Sequence, residues 1–210
     1  AEFINGRPND NIGITLFAGE TFTQCPLTVD HAVLLDMIHN IKCGLIEDGT
    51  AVGMGIANAV TRLKDSKAKS KVIILLTDGT NNKGDISPLT AAEIAKSFGI
   101  RVYTIGVGTN GMAPYPYPVG NTVQYVNMPV EIDEKTLTQI AGTTDGNYFR
   151  ATSNSKLKEV YEEIDKLEKT KLNVKEYSKR DEEYQWFALA AFLCVLLEVL
   201  LRNSILKKIP

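Results

Sequence analysis

Between Lys71 and Gly79 the chain reads Lys-Val-Ile-Ile-Leu-Leu-Thr-Asp-Gly, and Val72 to Leu76 form an unbroken apolar run. The run is too short for a buried helix and rich in β-branched residues, so it predicts a strand covered on both faces. Upstream, Ile12–Phe17 predicts a strand closed by Ala18-Gly19-Glu20. Phe22, Thr23 and Cys25 predict a short partner strand in a hairpin, with Pro26 ending it. Thr28 or Asp30 can cap a helix whose Val33, Leu34, Met37, Ile38 and Ile41 fall on one face. The glycine- and alanine-rich stretch Ala51–Val60 predicts a helix that ends near Leu63 and packs closely against its neighbours.

Beyond the central run comes a polar loop, Thr80–Asp85, then a helix from Leu89 to Phe98 with Gly99 as its stop and a strand at Arg101–Gly106. Strand, helix and strand in that order make a parallel βαβ unit with a right-handed crossover. The proline- and tyrosine-rich segment that follows, to about Val126, reads as an exposed loop or ribbon leaving the same end of the sheet as Asp78. Asp133–Ala141 predicts a helix, Asn147–Arg150 an edge strand, and Ser155–Lys169 an amphipathic helix with Leu157, Val160, Ile164 and Leu167 inward. Lys171–Tyr177 reads as a final strand or a linker, and Lys179–Glu183 as a charged run. The front, Ala1–Pro8, has the pattern of a last helical turn with a Gly stop and a Pro beyond it, as if something upstream were lost. The alternation of strands and helices predicts an α/β fold with a parallel βαβ unit.

Tyr184–Leu201 changes the class of the protein. Its single charge is Glu198, and at about 1.5 Å per residue it reaches roughly 27 Å, close to the thickness of a bilayer core. Tyr184 and Trp186 suit one interface, and Arg202, Lys207 and Lys208 the other. The expectation is a transmembrane helix at 184–201 with a short basic tail at 202–210 inside the cell, after a domain at 1–170 and a linker at 171–183.

Composition removes other classes. A formal charge of -2 gives no reason to expect nucleic acid binding. Three cysteines, at 25, 43 and 194, are too few and scattered for a disulfide scaffold or a Cys-based metal site, and Cys25 and Cys43 read as small buried thiols. His31 and His39 have no ligand partners at metal spacing and read as surface or edge residues. Gly106-Val107-Gly108-Thr109-Asn110-Gly111 matches Gly-x-Gly-x-x-Gly, but the prolines after it forbid the helix that a dinucleotide site requires. What remains is Asp78, just past the carboxyl end of a central parallel strand, where open α/β sheets place their ligands. Asp78-Gly79 is also an ordinary turn pair. Thr50 stands at the mouth of a helix, either as its N-cap or as an oxygen ligand to a hard cation.

Taken together, Ile12–Phe17 with Ala18-Gly19, Cys25–Asp30, Asp48–Gly53, Leu75–Gly79 and Tyr103–Gly108 resemble a von Willebrand factor type A domain. Gly111–Tyr117, Glu131–Leu137, Tyr148–Ala151 and Leu167–Thr170 resemble, more narrowly, the Bat (Bacteroides aerotolerance) membrane proteins. The resemblance implies a doubly wound, mostly parallel sheet with helices on both faces and a metal-ion-dependent adhesion site at its carboxyl end. There Mg²⁺, Mn²⁺ or Ca²⁺ is held by an Asp-x-Ser-x-Ser loop, a Thr from a second loop and an Asp from a third, and a partner's carboxylate often completes the shell. Thr50 matches the second loop and Asp78 the third. The Asp-x-Ser-x-Ser loop follows a first central strand that is missing from this chain and would lie between Ile12–Phe17 and Lys71–Thr77.

The implied function is therefore a membrane-anchored, cation-dependent protein-interaction module and not an enzyme. It would sit on the bacterial inner membrane facing the periplasm, with other Bat-type proteins and a MoxR-type ATPase as partners. A Mg²⁺-dependent phosphate-handling enzyme using Asp78 is the alternative.

Overall fold

The structure, a computed structural model, describes residues 2–42, 44, 47–108, 111–119, 122–130, 132–178 and 184–204. It divides into two compact units, Ala1–Glu168 and Lys169–Pro210.

The first unit is built on a parallel sheet of β3 (Lys71–Thr77), β4 (Ile100–Val107) and β7 (Tyr148–Ala151), in the order β3-β4-β7. β3 and β4 are joined by α4 (Pro88–Ser97), the βαβ unit expected from the sequence. Ser87 caps α4 by accepting from the Thr90 N–H, Pro88 fills its first position, and Gly99 ends it at a φ of +64°, in the left-handed region that suits glycine.

Both faces of this sheet carry helices. On one face Ile73, Leu75, Ile100 and Val102 meet α3 (Val52–Leu63), α4 and α5 (Glu134–Thr143). The buried alanines Ala91, Ala92 and Ala95 let α4 come close. On the other face Tyr103 and Ile105 meet Val160 and Ile164 of α6 (Asn154–Ser178). Leu157 and Leu167 pack at the edge of that cluster, so the expected inward stripe of α6 is the observed one.

A separate hairpin pairs β1 (Ile12–Phe17) with β2 (Thr21–Thr28). With α1 (Glu2–Asn5) and α2 (His31–His39), it encloses a small core of Ile4, Cys25 and Leu34. Among the described residues β1 pairs only with β2 and β3 only with β4, while α3 packs on both β1 and β3. A third two-stranded sheet, β5 (Gly111–Val119) with β6 (Thr122–Val130), is the expected ribbon. It leaves the carboxyl end of β4, where Gly106 pairs with Thr77 in register, and so departs from the end of the sheet that carries Asp78.

Four readings of the sequence need correction. Pro26 does not end β2, which runs to Thr28; the register shifts opposite it, near Gly13, and among the described residues β2 has one partner strand, so the missing N–H is tolerated. Val33 and Ile41 are exposed at 45% and 36%, because α2 turns Leu34, Leu35, Met37 and Ile38 toward the hairpin. Thr50 does not cap α3: the cap position is Ala51, with no side-chain bond. Lys171–Tyr177 is helical backbone continuing α6, since no Gly or Pro between Asn154 and Ser178 stops the helix.

In the second unit, α7 (Tyr184–Ser204) covers the expected apolar span. Its described side chains, 188–201, are all exposed, Phe192 at 64% and Leu197 at 61% among them. Among the described residues no helix is long and apolar enough to cross a membrane. Residues 205–210, with Lys207 and Lys208 of the basic tail, lie outside the described residues, as does Cys43. Cys25 is a buried free thiol and Cys194 an exposed one.

Candidate functional site

Thr50 and Asp78 come from different loops, and the fold brings them to one end of the sheet. Asp78 follows the last residue of β3, and Thr50 precedes α3. Reciprocal bonds join the two loops: the Thr50 N–H donates to Asn82 Oδ1 at 2.8 Å, and the Asn82 N–H donates back to the Thr50 carbonyl at 3.0 Å. The Lys83 N–H reaches the same carbonyl at 3.3 Å, and the Gly53 N–H donates to Asn81 Oδ1 at 3.4 Å. Thr50 is thus fixed by its backbone, which leaves its hydroxyl free of that task. A Cβ added to Gly79 would stand 3.2 Å from the Thr50 hydroxyl oxygen, so the threonine lies against the residue next to Asp78.

Two further contacts set the site's shape. The Thr77 hydroxyl accepts from the Gly79 N–H at 3.3 Å, which tightens the turn that presents Asp78. Gly53 lets the first turn of α3 run against the Ile86 carbonyl; a Cβ there would be 2.0 Å from that oxygen. Asp78 is exposed and Thr50 half-buried, and Asp48, Gly49, Thr50, Asn82 and Lys83 line an open depression beside them. Lys83 Nζ lies 3.6 Å from Glu47 Oε1 across its rim, and both side chains are at least half exposed.

A hard divalent cation takes six or more oxygen ligands. Thr50 and Asp78 offer one hydroxyl and one carboxylate. Among the described residues no group of three or more His, Cys, Asp or Glu could hold a metal ion. The described residues therefore fit part of a cation site and do not fit a whole one. His31 and His39 bond to backbone carbonyls, of Asp10 at 3.0 Å and of Leu35 at 2.7 Å, far from any ligand role. Asn81 and Asn82 carry no signal in the sequence beyond a polar loop, because their partners lie 28 and 32 residues away.

Comparison with known proteins identifies the family of the fold. The von Willebrand factor type A domain model matches residues 1–163. BatB of Bacteroides thetaiotaomicron, a solved structure, is 32% identical with a TM-score of 0.68, over 80% of this chain and 84% of that one. An aerotolerance-related membrane protein of Bacteroides fragilis is 28% identical with a TM-score of 0.67, over 79% and 82%. Proximal thread matrix protein 1 of the mussel byssus, solved with a zinc-occupied MIDAS motif, is 25% identical with a TM-score of 0.58, over 79% of this chain and 38% of that one. An uncharacterized protein of Borreliella burgdorferi is 26% identical over 99% of this chain, which spans 61% of that relative's length. The matched model, the parallel sheet with helices on both faces and the BatB likeness agree: the chain belongs to the von Willebrand factor type A domain family.

Proposed function

We propose that this chain is a membrane-anchored, divalent-cation-dependent protein-interaction module of the Bat type. Domains of this family are protein-interaction modules with a metal-ion-dependent adhesion site. The observation that carries the proposal is the convergence of Thr50 and Asp78 on loops locked together by Asn82, with the hydroxyl and the carboxylate unused by those loop contacts. Among the described residues β1 and β3 share no partner strand, and α3 packs on both. A strand seated there, with an Asp-x-Ser-x-Ser loop at its carboxyl end, would add the remaining oxygens beside Thr50 and Asp78. Mg²⁺ or a similar ion would then present an open position to a carboxylate of the partner. Other Bat-type proteins and a MoxR-type ATPase are the proposed partners, the ATPase acting through membrane segments or another subunit.

Titration calorimetry with Mg²⁺ or Mn²⁺ tests the site. The present chain binds weakly at best, because with two protein ligands most of the coordination stays with water. A longer form that supplies the strand and loop binds saturably, and Asp78→Ala in that form abolishes binding while the melting temperature holds, since Asp78 is exposed. Tight binding by the present chain, or none by the longer form, rejects the assignment. A phosphatase screen on the longer form separates the enzyme reading, which Asp78 alone does not support.

The anchoring part of the proposal rests on α7, whose described side chains are exposed and, Glu198 apart, uncharged. A helix apolar on every side is stable when lipid or protein surrounds it. The full chain is expected in the membrane fraction after alkaline washing, and a form ending before Tyr184 in the soluble fraction. With the domain periplasmic, protease added to spheroplasts digests it; recovery of the full chain as a detergent-free soluble protein removes the anchor.

A further inference from the structure

The β5–β6 ribbon has four prolines, at 114, 116, 118 and 129, and its register places all of them in one class. Opposed residues in an antiparallel pair alternate between exchanging two N–H···O bonds and pointing both groups outward. The pairs Met112↔Pro129, Pro114↔Asn127, Pro116↔Tyr125 and Pro118↔Val123 are every second step of an unshifted register. Proline cannot donate, so these are the outward-pointing pairs, and the inner ladder loses nothing to proline.

The two outer edges are then unequal. Along β5 the outward positions are 112, 114, 116 and 118, of which only Met112 has an N–H to offer. Along β6 they are Val123, Tyr125, Asn127 and Pro129, and three consecutive positions offer both a donor and an acceptor. Among the described residues β6 pairs with no strand but β5. Tyr125 is 72% and Val126 47% exposed, although their side chains leave opposite faces of the ribbon. A two-stranded ribbon with both faces in water is marginal by itself.

We infer that the outer edge of β6 is a docking edge for the same edge of a second copy of this chain. Antiparallel pairing about a two-fold axis at Tyr125 sets Val123 against Asn127 of the second copy, Tyr125 against Tyr125, and Asn127 against Val123. Every outward N–H and C=O of the three positions is then used. Residues 122–130 contain no Asp, Glu, Lys or Arg, so no like charges meet across the axis. The product is a four-stranded sheet whose outer edges are both β5, with prolines at three of four outward positions. Growth stops at two copies, which is the closure that an isologous contact requires and that an open strand edge otherwise lacks.

The same parity supplies the test. Tyr125→Pro puts a fifth proline into the outward class: it removes one donor per copy from the docking edge and none from the β5–β6 ladder. Val126→Pro, one residue on, removes a donor from the ladder itself. Sedimentation of the full chain in detergent, with hydrogen exchange, reads the outcome. The unaltered chain is expected as two copies with slow exchange at Val123, Tyr125 and Asn127. Tyr125→Pro is expected to raise the dissociation constant about tenfold or more, with the Val123 and Asn127 amides exchanging fast and those of Tyr115 and Tyr117 unchanged. Val126→Pro loses ribbon protection altogether. A single copy at all concentrations overturns the inference, as does a pair that survives Tyr125→Pro or an edge protected only when a different protein is added.

Discussion

Replacing Glu168 by alanine is expected to cost the domain about 3–5 kcal/mol of folding stability, the range for breaking a buried charge pair from one side. Glu168 is 4% exposed and sits where β3 and β4 begin. Its carboxylate accepts from Arg101 Nη1, from the Tyr103 hydroxyl at 2.6 Å and from the Ser70 hydroxyl at 2.9 Å. Arg101 Nη2 also donates to the Ser70 hydroxyl at 3.3 Å, so four side chains close on one another. Alanine takes the carboxylate acceptor away from a guanidinium and from a fully buried phenol. Glu168→Gln keeps an oxygen for one of them and should fall between the two. Urea denaturation of the three proteins gives the order; equal midpoints would show that the cluster adds nothing.

The same cluster sets a pH dependence. Burial pushes the Glu168 carboxyl up, but the bonds from Tyr103 and Ser70 and the charge of Arg101 outweigh it and hold the group below its ordinary value. A folded pKa below the unfolded one gives stability that is present above the unfolded value, about 4.3, and is lost as pH falls through the folded value. Tyr103 acts at the other end: burial first, then the Glu168 carboxylate, raise its hydroxyl to about 12. That contribution is complete below about pH 10 and fades as pH rises toward 12. Glu168→Gln should therefore flatten the acid limb of the stability profile.

Gly53→Ala is the second large effect. In an exposed helix interior the change would add up to about 1 kcal/mol through propensity. Here the new methyl would meet the Ile86 carbonyl oxygen at 2.0 Å and the Ser87 carbonyl carbon at 2.8 Å, both backbone atoms. Overpacking of this kind costs about 1–3 kcal/mol and decides the sign. The start of α3 must move away from the loop after Asp78, and Thr50 moves with it. The expected result is a net loss of about 2 kcal/mol in denaturant unfolding, together with weaker Mg²⁺ binding by the longer form. Gly142→Ala in α5 is the control, because nothing lies within 4 Å of its added Cβ, and it should stabilise.

The elements that the chain's pattern announces are those whose reason is local. Val72–Leu76 has the composition of a two-faced buried strand and is one, and Asp30, one of two cap candidates, accepts the N–H three residues on. Thr50 and Asp78 stand out because a strand end and a helix mouth are visible in sequence; their meeting depends on Asn82, whose partner is 32 residues away. Glu168 gives no local sign either. One glutamate on a charged amphipathic helix looks like solvated surface until Ser70, 98 residues earlier, is set beside it. Val33 fails for a related reason: a helical stripe wide enough for five apolar residues does not say which edge the hairpin covers.

The reach of Glu168 also fixes an order of assembly. β3 and β4 pair Lys71 with Ile100 across one short helix, a contact with modest loop-closure entropy. The layer that covers the opposite face comes from α6 and is locked by a residue 67 positions from Arg101 and 98 from Ser70. Contacts at such separation are slow to form and are made late. During synthesis the sheet can collect its α3–α4 layer early, yet Tyr103 and Ile105 stay uncovered until the chain through Glu168 has emerged. The apolar α7 follows within a few dozen residues, so closure of the domain and emergence of the apolar helix fall in the same short interval of translation.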